Sequence, residues 1–393
     1  MGSARDRHSG PLRIGIVVGE ESGDQLGAGL MRAIRTRLQG AVEFRGVGGD
    51  AMAAQGLASL FPLSDVAVMG FVAVGKGLPR VFARIRRTVE AMTEADLDAL
   101  VIIDSPDFTH RIARRVRKAT PEVPIIDYVS PTVWAWRPGR ARAMRAYVDH
   151  VLALLPFEPA VHAQLGGPPC TFVGHPLAER IGELRPNAEE ARRRVAEPPV
   201  VLVLPGSRRA EVRRLLGPFR AAIELVGSRL GTLELALPTV AHLADEIKAS
   251  TADWPLPPRI IVDADEKRAA FRVARAALAA SGTVTLELAL AGIPTVAAYR
   301  VAAIEAAIVR RMVRVSSAIL ANLVLGENVV PEFFQEACTP ERLAEALIPL
   351  IGDTPARRRQ LDAFARLDTI MEIGTAFPSD RAAELVISLA GKR

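Results

Sequence analysis

Two short turns in the second half of the chain carry the residue types of a nucleotide site. One turn reads Pro-Gly-Ser207-Arg208 and the other Ser281-Gly282-Thr283, and each follows an apolar run and opens a helix-like segment. Backbone N–H groups and the macrodipole at a helix N-terminus favour anions. We therefore predict a diphosphate site, with Arg208 on phosphate and the carboxylate of Glu287 on ribose hydroxyls. This chemistry is typical of nucleotide-sugar enzymes.

Arg208 and Glu287 also have purely structural interpretations. Arg208 begins a basic segment that continues with Arg209, Arg213 and Arg214, so it fits an exposed surface arginine. Glu287 fits an ordinary glutamate near a helix start, where the dipole favours negative charge. The Pro-Gly-Ser turn in front of Arg208 favours a function for Arg208 and a solvated surface role for the other three arginines.

Two carboxylates follow apolar runs in the first half of the chain. Asp104 ends the run Ala-Leu-Val-Ile-Ile, and Glu20 lies in the segment Gly-Glu-Glu-Ser-Gly-Asp. A carboxylate at the carboxyl end of a central strand suits a general base that takes a proton from an acceptor hydroxyl. The alternative is that Asp104 caps a helix with Pro106 in its first turn. Around Glu20 the spacing is not GxGxxG, which argues against a nicotinamide site, and Ser22 with Gln25 predicts a capping box.

Strand-like apolar runs alternate with helix-like segments along the whole chain. This alternation predicts an α/β protein with parallel sheets, in which ligands bind at the carboxyl ends of the strands. A charged, proline-bracketed segment, 181–199, is the predicted hinge region between two domains. The predicted strands are 13–18, 99–104, 125–129 and 151–155 in the first half, and 200–204, 233–237, 260–262, 276–280 and 295–298 in the second.

Composition limits the class of protein. The 393 residues suit two domains, and the 49% hydrophobic content is enough for two cores. The two cysteines lack metal or disulfide spacing, and no His/Asp/Glu cluster has the spacing of metal ligands. We expect no signal peptide and no membrane-spanning helix. The net charge of +6 predicts anionic partners, and without a nucleic-acid motif we expect nucleotide and acidic lipid rather than nucleic acid.

Two further segments leave their roles open. Residues 66–92 combine an apolar run with a helix-like stretch that carries arginines on one side, including Arg80, Arg84, Arg86 and Arg87. This pattern fits either contact with an anionic membrane surface or packing of the helix on its own domain. The segment Ser-Pro-Thr-Val-Trp134-Ala-Trp136 either lines an acceptor pocket or packs under a loop.

Ten segments between Gly19 and Glu336 together resemble the lipid A disaccharide synthase family. They are GEESGDQLGAGL, FRGVGGDAM, DVAVMGFVAV, VIIDSPDF, YVSPTVWAWR, LLPFEP, FVGHPL, LPGSRRAEV, ASGTVTLELAL and NLVLGENVVPEFFQE. The resemblance implies a GT-B fold, with two Rossmann-like domains facing across a cleft. It divides the chain into an acceptor and lipid domain (11–185), a UDP-sugar domain (198–355) and helices that cross back to the first domain (356–393). Ala73, where the family often has glutamate, and the glycine-rich stretch 75–77 depart from the family pattern.

The resemblance also implies an activity and a set of site residues. A peripheral enzyme on the cytoplasmic face of the inner membrane would join UDP-2,3-diacylglucosamine to 2,3-diacylglucosamine 1-phosphate. The products would be a β-1′,6-linked disaccharide and UDP, formed with inversion and without a metal or other cofactor. Asp104, Glu20 and Arg208 match the catalytic positions. The donor-nucleotide side matches Ser207, Ser281, Gly282, Thr283, Glu287 and Asn322.

Two other functions fit the same fold. A UDP-GlcNAc 2-epimerase-like enzyme would accept an unacylated sugar and would need no apolar surface. A non-catalytic UDP-sugar-binding membrane adaptor would bind UDP but lose nothing when Asp104 is replaced by alanine. Intact Glu20, Asp104 and Arg208 argue against the adaptor.

Overall fold

The computed structural model describes residues 10–66, 78–302 and 317–391. These residues divide into two units: one contains the chain up to Pro176 and the segment from Thr375 on, and the other is Leu177–Gly374. Each unit contains a six-stranded, wholly parallel sheet with connecting helices. The predicted fold class, an α/β protein with two Rossmann-like domains, is confirmed.

The first unit has the strand order β2-β1-β3-β4-β5-β6. Its strands are β1 (Leu12–Val18), β2 (Val42–Val47), β3 (Ala99–Ile103), β4 (Ile125–Tyr128), β5 (His150–Ala153) and β6 (Cys170–Phe172). Its α-helices up to residue 176 are α1 (Glu21–Arg37), α2 (Asp50–Ala54), α3 (Leu78–Glu94), α4 (Pro106–Ala119), α5 (Gly139–Met144) and α6 (Glu158–Gln164). Every residue of the central strand β3 is buried, because the strand is covered on both faces.

The second unit has the strand order β12-β11-β10-β7-β8-β9. Its strands are β7 (Val200–Leu204), β8 (Glu234–Pro238), β9 (Arg259–Ile261), β10 (Ala276–Ala280), β11 (Thr295–Tyr299) and β12 (Glu332–Phe334). Its α-helices are α7 (Ile181–Leu184), α8 (Ala188–Val195), α9 (Arg209–Leu230), α10 (Ala241–Thr251), α11 (Ala264–Val273), α12 (Thr283–Leu290), α13 (Leu320–Leu325), α14 (Pro340–Ile351) and α15 (Pro355–Ile370). The neighbours β7 and β10 are fully buried and end together, since Leu204 lies opposite Ala279.

The nine predicted strands are all present, with ends that differ by a residue or two. Three strands were not predicted: β2, β6 and β12, whose sequences are VEFRGV, CTF and EFF. All three lie at an edge of their sheet. An edge strand pairs on one side only and is more exposed, so it tolerates polar residues and lacks the apolar run of a central strand.

The segment 181–199, predicted as the hinge, is folded onto the second unit. Arg194, on α8, donates hydrogen bonds to four backbone oxygens of that unit, those of Phe271, Arg272, Ala291 and Gly292. Asn187 caps α8 with a capping box to Glu190. The chain instead passes between the units at residues 176–177 and 374–375.

The C-terminal segment is shared between the units. Helix α15 belongs to the second unit, and the last helix, α16 (Pro378–Ala390), belongs to the first. The apolar side of α16 joins the core around β1 and α1 through Ala382, Ala383 and Val386. The predicted range 356–393 is therefore divided, and only its final helix completes the N-terminal unit.

Candidate active site

Asp104 directly follows β3 and is held in place by two hydrogen bonds. Its Oδ1 accepts the backbone N–H of Ser105 at 2.7 Å, and its Oδ2 accepts the hydroxyl of Ser22 at 3.3 Å. Asp104 and Ser105 both have positive φ, 53° and 43°. Such a conformation costs free energy in residues other than glycine and concentrates at functional sites. The half-buried carboxylate is thus fixed at the carboxyl edge of the first sheet, where a general base was predicted.

Pro106 occupies the first turn of α4 as predicted, but Asp104 does not cap that helix. The N-cap is Ser105, in a left-handed conformation and without a side-chain cap bond. The Asp104 carboxylate accepts the N–H of Ser105 but no N–H from within α4, and the Asp104 carbonyl accepts the Thr109 hydroxyl at 2.6 Å. The capping interpretation of the Asp104 carboxylate is wrong, and the side chain stays available for a substrate hydroxyl.

Glu20 is the N-cap of α1, exposed and without a side-chain hydrogen bond at that cap. Helix α1 begins at Glu21, so the predicted capping box of Ser22 with Gln25 is wrong. Ser22 lies inside the first turn and donates to Asp104 instead. Gly19 lets this turn approach the neighbouring one, because a Cβ at Gly19 would lie 2.5 Å from the Cβ of Ser105. Glu20 lies just after β1 and Asp104 just after β3, and these two strands are neighbours in the sheet.

Arg208 is the N-cap of α9 and is 82% exposed. Its Nη1 lies 3.1 Å from Oε1 of Glu211, one turn along the helix. Gly206, two residues before Arg208, has φ +114°, and a Cβ at Gly206 would lie 2.5 Å from the Glu211 carboxylate. Because exposed ion pairs are weak, the guanidinium can leave Glu211 for a phosphate at little cost. Ser207 is exposed in the same turn.

The second predicted turn lies at the end of β10, the strand next to β7. Gly282 is the N-cap of α12, and the helix start has no side-chain cap. Gly282 and Thr283 are exposed, and the Ser281 hydroxyl donates to the backbone oxygen of Ala318 at 3.3 Å. Uncapped N–H groups at an exposed helix start are an anion site. The two turns predicted from sequence thus lie at the same edge of one sheet.

Glu287 is one helical turn into α12, with a side chain that is 18% exposed. Both of its carboxylate oxygens accept hydrogen bonds from Nζ of Lys267, on α11, at 3.0 and 3.1 Å. Lys267 was not predicted as a site residue, and no sequence motif marks it. Each carboxylate oxygen has two lone pairs, so Glu287 can still accept hydroxyl hydrogens while Lys267 holds it.

Asn322, on α13, is 2% exposed and all of its amide groups are paired internally. Its Nδ2 donates to the Ser317 hydroxyl and to the backbone oxygen of Val330, at 3.2 and 3.0 Å. Its Oδ1 accepts the N–H groups of Val329 and Val330. A direct contact with nucleotide stays a prediction. In the structure the side chain fixes the backbone around Val330.

Helix α3, in the segment proposed for lipid contact, packs mainly on its own domain. Ile85 and Met92 are 1% exposed and belong to the core beneath α4, and Arg84 pairs with Asp65 at 2.6 Å. Phe82 is 46% exposed. The arginines 80, 86 and 87 are also exposed. The apolar run 67–77, with Ala73 and the glycine-rich stretch, lies outside the described residues.

The chain matches one protein family along most of its length. A model of the lipid-A-disaccharide synthetase family matches residues 14–375. The chain belongs to this family. The lipid-A-disaccharide synthase of Nitrobacter hamburgensis is 60% identical over 375 residues, 95% of each chain. That of Bradyrhizobium diazoefficiens is 58% identical over 380 residues, 97% of each chain. The predicted family is confirmed, and the chain is a glycosyltransferase of the hexosyltransferase class.

The fold of this family member is similar to that of solved glycosyltransferases and epimerases. A glycosyltransferase of kitacinnamycin aligns with TM-score 0.63 and 16% identity over 96% of this chain and 99% of its own. Acinetobacter baumannii MurG aligns with TM-score 0.57 and 14% identity, over 96% and 100%. The UDP-GlcNAc 2-epimerase of Neisseria meningitidis aligns with TM-score 0.59 and 11% identity, over 97% and 100%. At such identities the likeness concerns the fold alone, and the sequence matches favour the synthase over the epimerase alternative.

Proposed function

We propose that this chain joins UDP-2,3-diacylglucosamine to 2,3-diacylglucosamine 1-phosphate. The products are the β-1′,6-linked disaccharide 1-phosphate and UDP. The observation that carries the proposal is the fixed carboxylate of Asp104 at the carboxyl edge of the first sheet. Membership of the lipid-A-disaccharide synthase family supports the choice of substrates.

In the proposed reaction Asp104 takes the proton of the acceptor 6-hydroxyl as its oxygen attacks C1 of the donor sugar. The bond from C1 to the diphosphate breaks on the opposite face, so the anomeric centre inverts and UDP leaves with the bonding electrons. Arg208 and the uncapped start of α12, with Ser281, Gly282 and Thr283, hold the charge that develops on the diphosphate.

The remaining site residues have binding roles in this proposal. Glu287 accepts the ribose hydroxyls, and Ser207 lies in the phosphate turn with Arg208. Asn322 acts by fixing the loop at Val330. Glu20, exposed beside the strand end of Asp104, contacts the acceptor sugar. In this proposal the first unit binds the acceptor and the second binds the nucleotide.

We also propose that the enzyme works at the cytoplasmic face of the inner membrane. The support is the acylated substrates, together with the exposed Phe82 and the arginines of α3. An anionic membrane surface would attract these arginines, at about 1 kcal/mol for each. Within the described ranges, no helix combines the length and the apolar character needed to span a bilayer.

The test is a transferase assay in detergent micelles with the two acylated substrates. Mass spectrometry detects the tetraacyl disaccharide phosphate, and UDP release is measured in parallel. We expect product from the acylated pair and none from UDP-GlcNAc with glucosamine 1-phosphate. Folded, UDP-binding protein that makes no disaccharide from the acylated pair, or that epimerises UDP-GlcNAc, would overturn the proposal.

A further inference from the structure

A buried glutamate in the first unit, Glu158, is not among the residues assigned so far. It is the first residue of α6 and is 3% exposed. Its Oε2 accepts the backbone N–H groups of Leu154 and Leu155 at 3.1 and 3.0 Å, just after β5. Its Oε1 accepts the indole N–H of Trp134 at 3.2 Å. The carboxylate thus ties together the segments that follow two neighbouring strands, β4 and β5.

The Trp134 side of this tie belongs to the segment 130–137, which leads away from β4. The same segment has a second attachment to α6, because the Ser130 hydroxyl lies 2.9 Å from Nε2 of His162. Glu158 and His162 are four residues apart and therefore lie on one face of the helix. Trp134 also packs edge-on against Phe157, with ring centroids 5.5 Å apart. One short helix consequently holds the segment at two points.

This segment starts beside the candidate base. The N–H of Asp104 donates to the backbone oxygen of Tyr128, the last residue of β4, at 3.3 Å. The next residue, Val129, has φ +88°, which is an outlier for a β-branched side chain. Such strain persists only where the surroundings enforce it, and it concentrates at functional sites. Trp134 and Trp136 are both only half-buried, so the segment that starts beside the strand end of Asp104 presents aromatic surface.

We propose that Glu158 is a positioning residue for the acceptor: by holding Trp134 it fixes the segment 130–137 as a wall beside Asp104. This inference rests on the proposed function, because the occupant of the wall is the acylated acceptor sugar. Aromatic and apolar surface suits a sugar that carries acyl chains. Glu158 itself touches no substrate and acts through Trp134.

The strength of the hydrogen bond between Glu158 and Trp134 depends on the charge state of Glu158. Burial raises the pKa of Glu158 to about 7, against the opposing effect of its three hydrogen bonds. The other titratable groups around it are Asp127 on β4, His162 on α6 and Cys170 on β6. Asp127 raises the pKa of Glu158 further. Burial, followed by the charge of Glu158, raises the pKa of the Cys170 thiol. Burial lowers the pKa of His162, which favours its neutral form.

The substitution Glu158→Gln removes the hydrogen bond to Trp134 and keeps the packing of the side chain. The glutamine has the same shape, and its oxygen can still accept the two backbone N–H groups. Its amide nitrogen then faces the indole N–H, so two donors meet and the bond to Trp134 is lost. Trp134→Phe removes the same bond from the other side and keeps an aromatic ring. Glu43→Gln, at an exposed position of β2, is the matched control.

The first measurement is ¹⁹F NMR of protein labelled with 5-fluorotryptophan. The chain has three tryptophans, and the resonance of Trp134 is assigned by its loss in Trp134→Phe. We expect Glu158→Gln to move this resonance towards that of solvent-exposed 5-fluorotryptophan, whereas Glu43→Gln leaves it in place. A Trp134 resonance that Glu158→Gln leaves unchanged would overturn the inference.

The second measurement is the kinetics of disaccharide formation. Loss of the hydrogen bond between Glu158 and Trp134 loosens the wall, so we expect the acceptor KM to rise about tenfold in Glu158→Gln. The KM for the UDP-sugar and the kcat stay within about twofold, since the wall binds the acceptor equally well in the ground state and in the transition state. Trp134→Phe gives a similar rise, and the double variant gives no more than either single variant because both remove one bond.

The outcomes separate this inference from the proposed function. No disaccharide from the wild type would overturn the proposed function. Product from the wild type with an unchanged acceptor KM in Glu158→Gln would overturn the positioning role alone. An equal rise in both KM values, or fully additive effects of Glu158→Gln and Trp134→Phe, would also overturn it, since a general loss of structure gives those results.

Discussion

Lys267→Met is predicted to weaken UDP binding through Glu287. Lys267 Nζ holds both oxygens of the Glu287 carboxylate, and the two side chains are 36% and 18% exposed. An ion pair of this exposure contributes about 1 kcal/mol. Methionine keeps the aliphatic stem but leaves the carboxylate free to rotate. We therefore expect the Kd for UDP to rise about fivefold, which corresponds to about 1 kcal/mol.

The size of the effect is compared with that of Glu287→Gln. This variant loses charge-assisted hydrogen bonds to the ribose hydroxyls, which contribute about 2 kcal/mol to binding. The Kd for UDP therefore rises about thirtyfold. Since Lys267 acts through Glu287, adding Lys267→Met to Glu287→Gln changes the Kd little further. Lys248→Met, at an exposed position of α10, is the control.

Isothermal titration calorimetry with UDP and with 2′,3′-dideoxy-UDP measures these effects. The dideoxy nucleotide lacks the hydroxyls that Glu287 accepts, so Lys267→Met leaves its affinity almost unchanged. An equal loss of affinity for both nucleotides would contradict an effect of Lys267 through Glu287. That result would mean that the lysine binds the diphosphate itself instead of orienting Glu287.

Three further predictions concern stability and backbone geometry. Asp24 is 3% exposed, and its carboxylate accepts the N–H groups of Gly49, Ala51 and Met52. Asp24→Ala should therefore lower the free energy of unfolding, measured by urea denaturation, by about 3 kcal/mol. A loss below about 1 kcal/mol would contradict this. Gly206 has φ +114°, and in Gly206→Ala the new Cβ would lie 2.5 Å from the Glu211 carboxylate. We expect calorimetry to show weaker UDP binding by this variant. An unchanged affinity for UDP would contradict this. Burial raises the pKa of Glu158 from 4.5 to about 7, so the folded chain holds a proton that the unfolded chain releases. Its contribution of about 3 kcal/mol is fully present below pH 4.5 and is lost as the pH rises through 7. Glu158→Gln should therefore gain stability relative to the wild type from pH 5 to 8, and parallel pH profiles of the two proteins would contradict this.

Burial decided how much of the fold could be predicted. Central strands such as β3 and β7 are buried on both faces, so their sequences are unbroken apolar runs that predict a strand directly. The edge strands β2, β6 and β12 pair on one side and carry polar residues, which hides them. The segment 181–199 looked like a linker because it is charged, but Arg194 uses its charge to bond backbone oxygens of the second unit.

The candidate site residues that could be predicted are those whose function is indicated by one local sequence motif. Asp104 and Arg208 each lie in a short turn between a strand and a helix, so local sequence locates them. The partners that orient the site come from elsewhere in the chain: Ser22 is 82 residues from Asp104, and Lys267 is 20 residues from Glu287. Only the folded backbone brings these pairs together, and no local pattern predicts them.

The rate of disaccharide formation by Asp104→Asn tests most directly whether Asp104 is the general base. Asparagine keeps the shape of the side chain and can accept the Ser105 N–H, but it cannot take the proton of the acceptor hydroxyl. We expect kcat to fall about 10³-fold, within the usual range for loss of a general base, with an unchanged Kd for UDP. A variant that keeps more than about a tenth of the wild-type kcat would contradict the assignment of Asp104 as the base.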